Sequence, residues 1–198
     1  MPRIAPSIAS AAAGLVLASA IALAGCSTAA PEVEESQAPT ASAPAVAPAA
    51  GGTVEGDAYV FSTPEGWGFP EEAPEGYDET MFSADLTDTD DFTDNLNVIT
   101  SPAGEITPEQ VESDGVAELE NVGATDVTVL DRVTAGGVES AHLTAGFASP
   151  EGVEYTIDQY YLTDAGQTHI VTFSFSPDVP QEDRDALAQS VLATWQWK

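Results

Sequence analysis

The sequence predicts an α+β protein in which helices cover an antiparallel sheet. Between residues 125 and 175, four segments of alternating apolar residues are separated by glycine-bearing turns. This pattern is typical of an antiparallel meander. One amphipathic helix is predicted before the meander and another after it. This order of elements is typical of the α+β class.

Seven strands are predicted in chain order. Three short ones precede the first helix, at Tyr59–Ser62, Thr80–Ala84 and Leu96–Thr100. The meander strands are predicted at Thr125–Val133, Val138–Phe147, Val153–Thr163 and Gln167–Phe175. Period-two alternation places Val127, Val129 and Val133 on one face of the first meander strand. In the last meander strand it places Val171, Phe173 and Phe175 on one face.

Both predicted helices carry start signals. Thr107 and Gln110 are spaced as a capping box around Pro108, which suits the first helical position. An apolar stripe follows at Val111, Gly115, Leu119 and Val122. Pro180 opens the C-terminal helix, whose apolar face includes Ala188, Leu192 and Trp195.

Residues 1–25 are typical of a lipoprotein signal peptide. Arg3 precedes an apolar run that is shorter than the roughly 20 residues needed to span a bilayer core. The run closes in the lipobox Leu23-Ala24-Gly25-Cys26. Cys26, the only cysteine of the chain, is predicted to receive a diacylglyceryl group and acyl chains such as palmitate. An uncleaved anchor with an incidental cysteine is the alternative.

The rest of the chain divides into a linker and one domain. Residues 26–57 are predicted to be the lipidated cysteine and a disordered Ala/Pro-rich linker, because they lack aromatic residues and periodicity. A propeptide is the alternative. Residues 58–198 have the size of a single globular domain. The mature protein is therefore expected to be extracytoplasmic, anchored to the outer face of the cell membrane.

Charge excludes one class of partner. The chain has 33 acidic residues against four lysines and arginines. Such a surface repels phosphate backbones, so no nucleic-acid partner is expected. A basic partner would suit this surface, but solubility or a high-salt habitat is the favoured explanation of the composition.

Several segments together resemble a known family. They are Phe61-x-x-Pro64-x-Gly66-Trp67, the capped helix at Thr107, the segment Gly137–Phe147, the hairpin Tyr160–Phe175 and the ending Ser190-x-x-x-Thr194-Trp195. In these segments the chain is similar to PsbP/Mog1-like domains. Together with the lipobox it resembles the LpqN-type lipoproteins of actinobacteria. The resemblance implies an α/β/α sandwich with an antiparallel sheet flanked by helices. It also implies an envelope accessory or binding role, with no enzymatic activity and no catalytic residues.

Few side chains suggest catalysis. Alternation points His142 away from Ala141 and Leu143, and it places His169 at the end of a core-facing row. The chain lacks a G-x-S-x-G elbow, and its one thiol is expected to be acylated. A structural role is therefore favoured for both histidines, and no cofactor is expected. An envelope hydrolase with a site near His142 or His169 is the alternative.

Two loops are weaker candidates for a site. Asp88, Asp90, Asp91 and Asp94 crowd one acidic loop, and their oxygens are of the kind that binds Ca²⁺. The EF-hand spacing fails, so a solvated loop is favoured. In the other loop, Trp67, Phe69 and Tyr77 could contact a ligand or partner, but core packing is the favoured alternative. Arg132 and Arg184 are each expected to pair with a local carboxylate.

The sequence thus predicts a membrane-tethered lipoprotein that acts as a binding or accessory module of the cell envelope. Its partner would be an envelope protein, a lipid or a glycan.

Overall fold

The computed structural model describes residues 46–90 and 92–198. The predicted signal peptide, Cys26 and most of the predicted linker lie outside the described residues, as does Asp91. No helix in the described ranges combines the length and the apolar character that crossing a bilayer requires.

The described residues contain ten strands and a few helical segments. The strands are β1 (Thr53–Glu55), β2 (Tyr59–Ser62), β3 (Trp67–Gly68), β4 (Phe82–Asp85), β5 (Asn95–Thr100), β6 (Thr125–Ala135), β7 (Val138–Ala148), β8 (Glu154–Asp164), β9 (Gln167–Phe175) and β10 (Gln196–Trp197). The helical segments are α1 (Pro108–Gln110), a π-helical turn (Val111–Gly115), α2 (Val116–Asn121) and α3 (Gln181–Leu192).

Seven strands form one antiparallel sheet in the order β3-β4-β5-β9-β8-β7-β6. The predicted meander is its larger half, since β6, β7, β8 and β9 pair in chain order. The strand β9 occupies its predicted residues, and the other three meander strands differ from prediction by one or two residues at their ends. The prediction of an α+β fold with an antiparallel sheet is confirmed.

One face of this sheet holds the main core. Val171, Phe173 and Phe175 of β9 share that face, as predicted, and are fully buried. The helix α3 covers them with Val191 and its neighbours, because its apolar side chains recur at helical spacing. A second sheet, in the order β1-β2-β10, extends this cover. We call this side of the large sheet the core face.

The opposite face is covered over only part of its width. Val111 and Leu119 of the helical segments pack on Ala141, Leu143 and Ala145 of β7. The fit is close, since a Cβ added to Gly115 would lie 3.0 Å from Cδ1 of Leu143. The sheet surface over β5 and β9 lies beyond this helical cover. We call this side the open face.

The strand β1 was not predicted. It lies within residues 26–57, which the sequence assigned to the linker. Val54 is buried, and the amide of Ala49 donates a 2.8 Å hydrogen bond to the carbonyl of Ser190 in α3. The composition of this stretch gives no periodic signal, and its order depends on pairing with β2. The ordered domain therefore begins before residue 58.

Two predicted apolar positions are wrong. The strand β6 carries an irregularity in register between Leu130 and Val133. Val129 consequently pairs opposite Leu143 on the open face, whereas Val133 packs into the core of the other face. A bulge shifts the side-chain alternation by one residue. Val122 is also misassigned, because the helix ends at Asn121 and leaves the valine 71% exposed.

The predicted helix start is confirmed. The hydroxyl of Thr107 accepts from the amide of Gln110, and the side chain of Gln110 accepts from the amide of Thr107. The run is interrupted by the π-helical turn, which a periodicity of 3.6 does not anticipate.

Candidate functional site

A groove of about 690 Å³ lies on the open face, beside the helical cover. Two rungs of the sheet form its floor. Gln159, Thr172 and Asn97 lie side by side on β8, β9 and β5. The next rung holds Ile157, Ser174 and Asn95. Because side chains of one strand alternate between faces, the polar floor lies directly behind the apolar core formed by Val171 and Phe173.

Aromatic rings bound the groove. Phe92 stacks on Tyr155 with ring centroids 4.9 Å apart and planes 8° apart. Phe147, the cross-strand partner of Tyr155, also stacks with it, at 5.8 Å and 18°. Tyr77 contacts Phe82 at 5.2 Å on the β4 side. These rings give the groove flat apolar walls beside a polar floor.

Part of the polar floor is available to a ligand. Within the described residues, neither the carboxamide of Asn97 nor the hydroxyl of Ser174 has a hydrogen-bond partner, although Ser174 is only 7% exposed. Both lie on the open face and line the groove. Buried polar groups are normally paired, so these two groups can form hydrogen bonds with a ligand or water without giving up one within the protein.

The groove is almost uncharged. Among its described lining residues only Glu151 carries a charge, at the rim beside Ser149. The groove therefore carries little of the charge of a chain that has 33 acidic residues. The described lining residues contribute amide, hydroxyl and aromatic side chains, which can bind a ligand through hydrogen bonds and ring contacts.

A second groove of about 580 Å³ shares Tyr77 and Ile99 with the first. It reaches His169, whose Nδ1 lies 3.2 Å from the hydroxyl oxygen of Thr100. Burial lowers the pKa of His169 and so favours the neutral imidazole. The negative charge of Asp164 opposes this shift but does not cancel it. Its position at the end of the core-facing row is confirmed, because the ring packs edge-on to Tyr59.

His142 points to the core face, away from Ala141 and Leu143 as the alternation predicts. Its ring stacks on Tyr160 at 4.2 Å, and its Nε2 is 3.5 Å from Oδ1 of Asp158. Oδ2 of Asp158 accepts from Nε of Arg184 at 2.8 Å. Burial opposes ionisation of Asp158, but the nearby side chains of His142, Arg184 and Thr144 outweigh it and hold the carboxyl pKa below its ordinary value.

The three aromatic candidates from the sequence are separated by the fold. Trp67 is buried in the core, as the packing alternative expected. Phe69 is 42% exposed but does not line the groove. Of the three aromatic candidates, Tyr77 alone lines a groove, and it lines both.

The arginines pair with carboxylates as predicted, though not always locally. Arg132 bridges Glu109, Glu112 and Glu139. The partner of Arg184 is Asp158, 26 residues away on another element.

In the acidic loop, the carboxylates accept backbone amides. Asp88 accepts from the amides of Asp90 and Asp94, while Asp94 accepts from the amide of Ser176. Within residues 46–90 and 92–198, no three carboxylate, imidazole or thiol groups converge as metal ligands. Asp91 lies outside the described residues.

Most groove residues were missed in the sequence. The floor residues were not predicted because their polar side chains alternate with buried apolar ones. This pattern is typical of a strand with one face exposed to solvent. One signal was available: Gln159 interrupts the apolar row of Ile157 and Tyr161, and Phe147 and Tyr155 belong to adjacent strands.

No protein-family model matches the sequence, and the curated proteins yield no match. Solved structures show distant likeness. LpqN of Mycobacterium tuberculosis, described as involved in cell envelope biogenesis, matches at 16% identity and TM-score 0.49, over 74% of this chain and 90% of LpqN. The cyanobacterial PsbP of Synechocystis matches at 17% identity and TM-score 0.49, over 81% of this chain and 100% of PsbP.

A structure from Bacteroides thetaiotaomicron matches at 16% identity and TM-score 0.40 over 71% of this chain. This chain spans under half of that protein, 45% of its length. At such identities the likeness concerns the fold alone.

Proposed function

We propose that the protein is a lipid-anchored, non-enzymatic binding module of the cell envelope, and that the open-face groove binds a neutral, sugar-bearing ligand. The carrying observation is the polar rung Gln159, Thr172 and Asn97, left uncovered by the helices and bordered by aromatic rings.

The character of the groove selects among the three partner classes. An acyl chain calls for an enclosed apolar cavity, whereas this groove is open and has a floor of amides and hydroxyls. A sugar ring has apolar C–H faces and a rim of hydroxyls. The faces suit the rings of Phe147 and Tyr155, and the hydroxyls suit the side chains of Asn97 and Ser174.

Charge argues for a neutral ligand. Each of the three basic side chains in the described residues is engaged with carboxylates: Arg132 with three glutamates, Arg184 with Asp158 and Lys198 with Glu55. A phosphorylated or carboxylated glycan would meet an acidic surface with no spare cation to compensate. A cationic ligand would find only Glu151 in the groove.

The anchor is supported by sequence. The lipobox at Leu23–Cys26 and the Ala/Pro-rich stretch after it are the features of a tethered lipoprotein. The tether would hold the acidic domain away from anionic headgroups, which repel it. A hydrolytic role for His142 gains no support, because this residue is 4% exposed and lines neither the open-face groove nor the groove at His169.

A glycan array probed with the detergent-solubilised full-length chain tests the proposal. We expect binding to neutral glycans and roughly tenfold weaker binding by Tyr155→Ala, which removes a stacking ring. Phe69→Ala is the matched control, since Phe69 is an exposed aromatic outside the groove. No binding to neutral glycans, or equal binding by Tyr155→Ala, would contradict the proposal.

A further inference from the structure

A chain of hydrogen bonds enters the groove floor from under the helical cover. The hydroxyl of Tyr161 donates to Oε1 of Gln159 at 2.8 Å. Nε2 of Gln159 then donates to the hydroxyl oxygen of Thr172 at 3.1 Å. Gln159 and Thr172 line the groove, but Tyr161 does not; it faces the cleft between the helical segments and the sheet.

The direction of this chain is set at Tyr161. A phenol oxygen can donate or accept, but this hydroxyl has no other hydrogen-bond partner among the described residues. If it accepted from the carboxamide of Gln159, its own proton would be left unpaired, so it donates. Burial, with a further contribution from Glu118, raises the pKa of Tyr161 to about 12, so the phenol remains a donor throughout the neutral range. A carboxamide whose oxygen is held at one end must present its N–H groups at the other.

We infer that Tyr161 is a positioning residue for the groove, which fixes the carboxamide of Gln159 so that the middle of the floor presents hydrogen-bond donors. One N–H of Gln159 is used by Thr172, and the second is left for a ligand. Thr172, having accepted, keeps its own O–H proton to donate. With the carboxamide reversed, the same place would present an acceptor.

This inference rests on the proposed function and sharpens its ligand class. The group that meets the middle of the floor is an uncharged acceptor oxygen, such as a ring oxygen or a hydroxyl accepting through its lone pairs. Asn97, next along the rung, offers both a donor and an acceptor. The floor therefore distinguishes ligands by where their acceptor oxygen lies between the aromatic walls.

The test uses the isotopically labelled full-length chain in detergent micelles and the variant Tyr161→Phe. We expect the side-chain amide resonances of Gln159 to shift and their hydrogen exchange to accelerate in Tyr161→Phe. Tyr160→Phe is the matched control, because Tyr160 is the adjacent residue on the core face and its hydroxyl has no hydrogen-bond partner in the described residues. Thr172→Val, which removes the acceptor at the other end, is expected to perturb the same amide.

The second readout is titration with methyl β-glucoside, methyl β-galactoside and methyl α-mannoside. A glycoside that perturbs Asn97 in the wild type should bind Tyr161→Phe roughly three- to tenfold more weakly, the range expected for one hydrogen bond. An unchanged Gln159 amide in Tyr161→Phe, or unchanged affinity despite a shifted amide, would overturn the positioning role. If no glycoside perturbs the wild-type groove, the sugar proposal fails, and the amide resonances alone decide whether Tyr161 positions Gln159.

Discussion

The carboxylate of Asp158 and the guanidinium of Arg184 form a buried ion pair between β8 and the first turn of α3, with Oδ2 and Nε 2.8 Å apart. Asp158 is fully buried and Arg184 is 8% exposed. Arg184 also donates to the carbonyl of Val179, just before the helix. The pair therefore holds α3 against the core face of the sheet.

Arg184→Met is predicted to leave a charged Asp158 in the core without its guanidinium partner. Breaking a buried pair in this way lowers the free energy of unfolding by about 3–5 kcal/mol. Urea unfolding followed by tryptophan fluorescence measures the loss. The double variant Arg184→Met/Asp158→Leu should recover much of it, because both charges are gone. The control Arg132→Gln should lose far less, since Arg132 pairs with exposed glutamates. Equal losses for the two single variants would contradict this role for the buried pair.

Gly136 and Gly137 form the turn between β6 and β7, and they provide a matched pair of substitutions. Both have positive φ, at 56° and 80°. A Cβ at Gly136 would lie 2.7 Å from Cδ1 of Trp195 and 2.8 Å from Nε1 of Trp197, whereas a Cβ at Gly137 meets nothing within 4 Å. Gly137→Ala should lower the free energy of unfolding by about 1–2 kcal/mol through backbone strain alone. Gly136→Ala should lose about 1–3 kcal/mol more through the clash. Similar melting curves for both variants would show that the tryptophans do not pack on this turn.

The ionised carboxylate of Asp94 is predicted to lower the free energy of unfolding once the pH exceeds about 6. Burial raises its pKa from 3.8 to about 6, the nearby Asp88, Asp90 and Asp85 add to the rise, and the amide of Ser176 counteracts it. A raised carboxyl pKa means that the folded state binds the proton more tightly. Its contribution to stability is therefore present below pH 3.8 and is lost as the pH rises through about 6.

Asp94→Asn keeps the acceptor oxygen for Ser176 and removes the titration. Urea unfolding of both proteins across this pH window should show the wild type losing stability relative to the variant as pH rises towards 6, with a constant difference above it. A constant difference across the whole window would mean that Asp94 is not perturbed in the folded state.

The sequence could predict what depends on local pattern. The capping box at Thr107, the alternation of β9 and the direction of His142 away from Ala141 and Leu143 all depend on neighbours close in the chain. The shift of Val133 to the core face could not be predicted, because a bulge is decided by pairing between β6 and β7. The strand β1 escaped for a related reason: its residues acquire order only by pairing with β2.

The groove was less accessible to prediction than the fold. Gln159, Thr172 and Asn97 are far apart in sequence and become neighbours only through the strand order β8-β9-β5. Whether they are covered depends on where the helical segments lie, which the amphipathic stripe of Val111 and Leu119 does not specify. Composition pointed instead to Phe69, which the fold leaves outside the groove.

Cys26→Ala is predicted to abolish acyl labelling and membrane association of the full-length chain. The thiol of Cys26 is the proposed attachment point for the lipid, and no other anchor is proposed for the mature chain. Metabolic labelling with radioactive palmitate and fractionation of membranes measure both effects. Ser27→Ala, at the residue next to the acceptor cysteine, is the control, and it should retain both properties. A Cys26→Ala variant held on the membrane by residues 1–25 would contradict the lipobox assignment.

Equilibrium titration of one neutral glycan, the strongest binder on the array, against the wild type and Asn97→Ala tests the groove most directly. Asn97 has an unpartnered carboxamide at the floor, so its removal should weaken binding roughly three- to tenfold without altering the fold. Asn121→Ala, at the exposed end of α2, should bind as the wild type does. If Asn97→Ala binds the glycan as tightly as the wild type, the open-face groove is not the binding site.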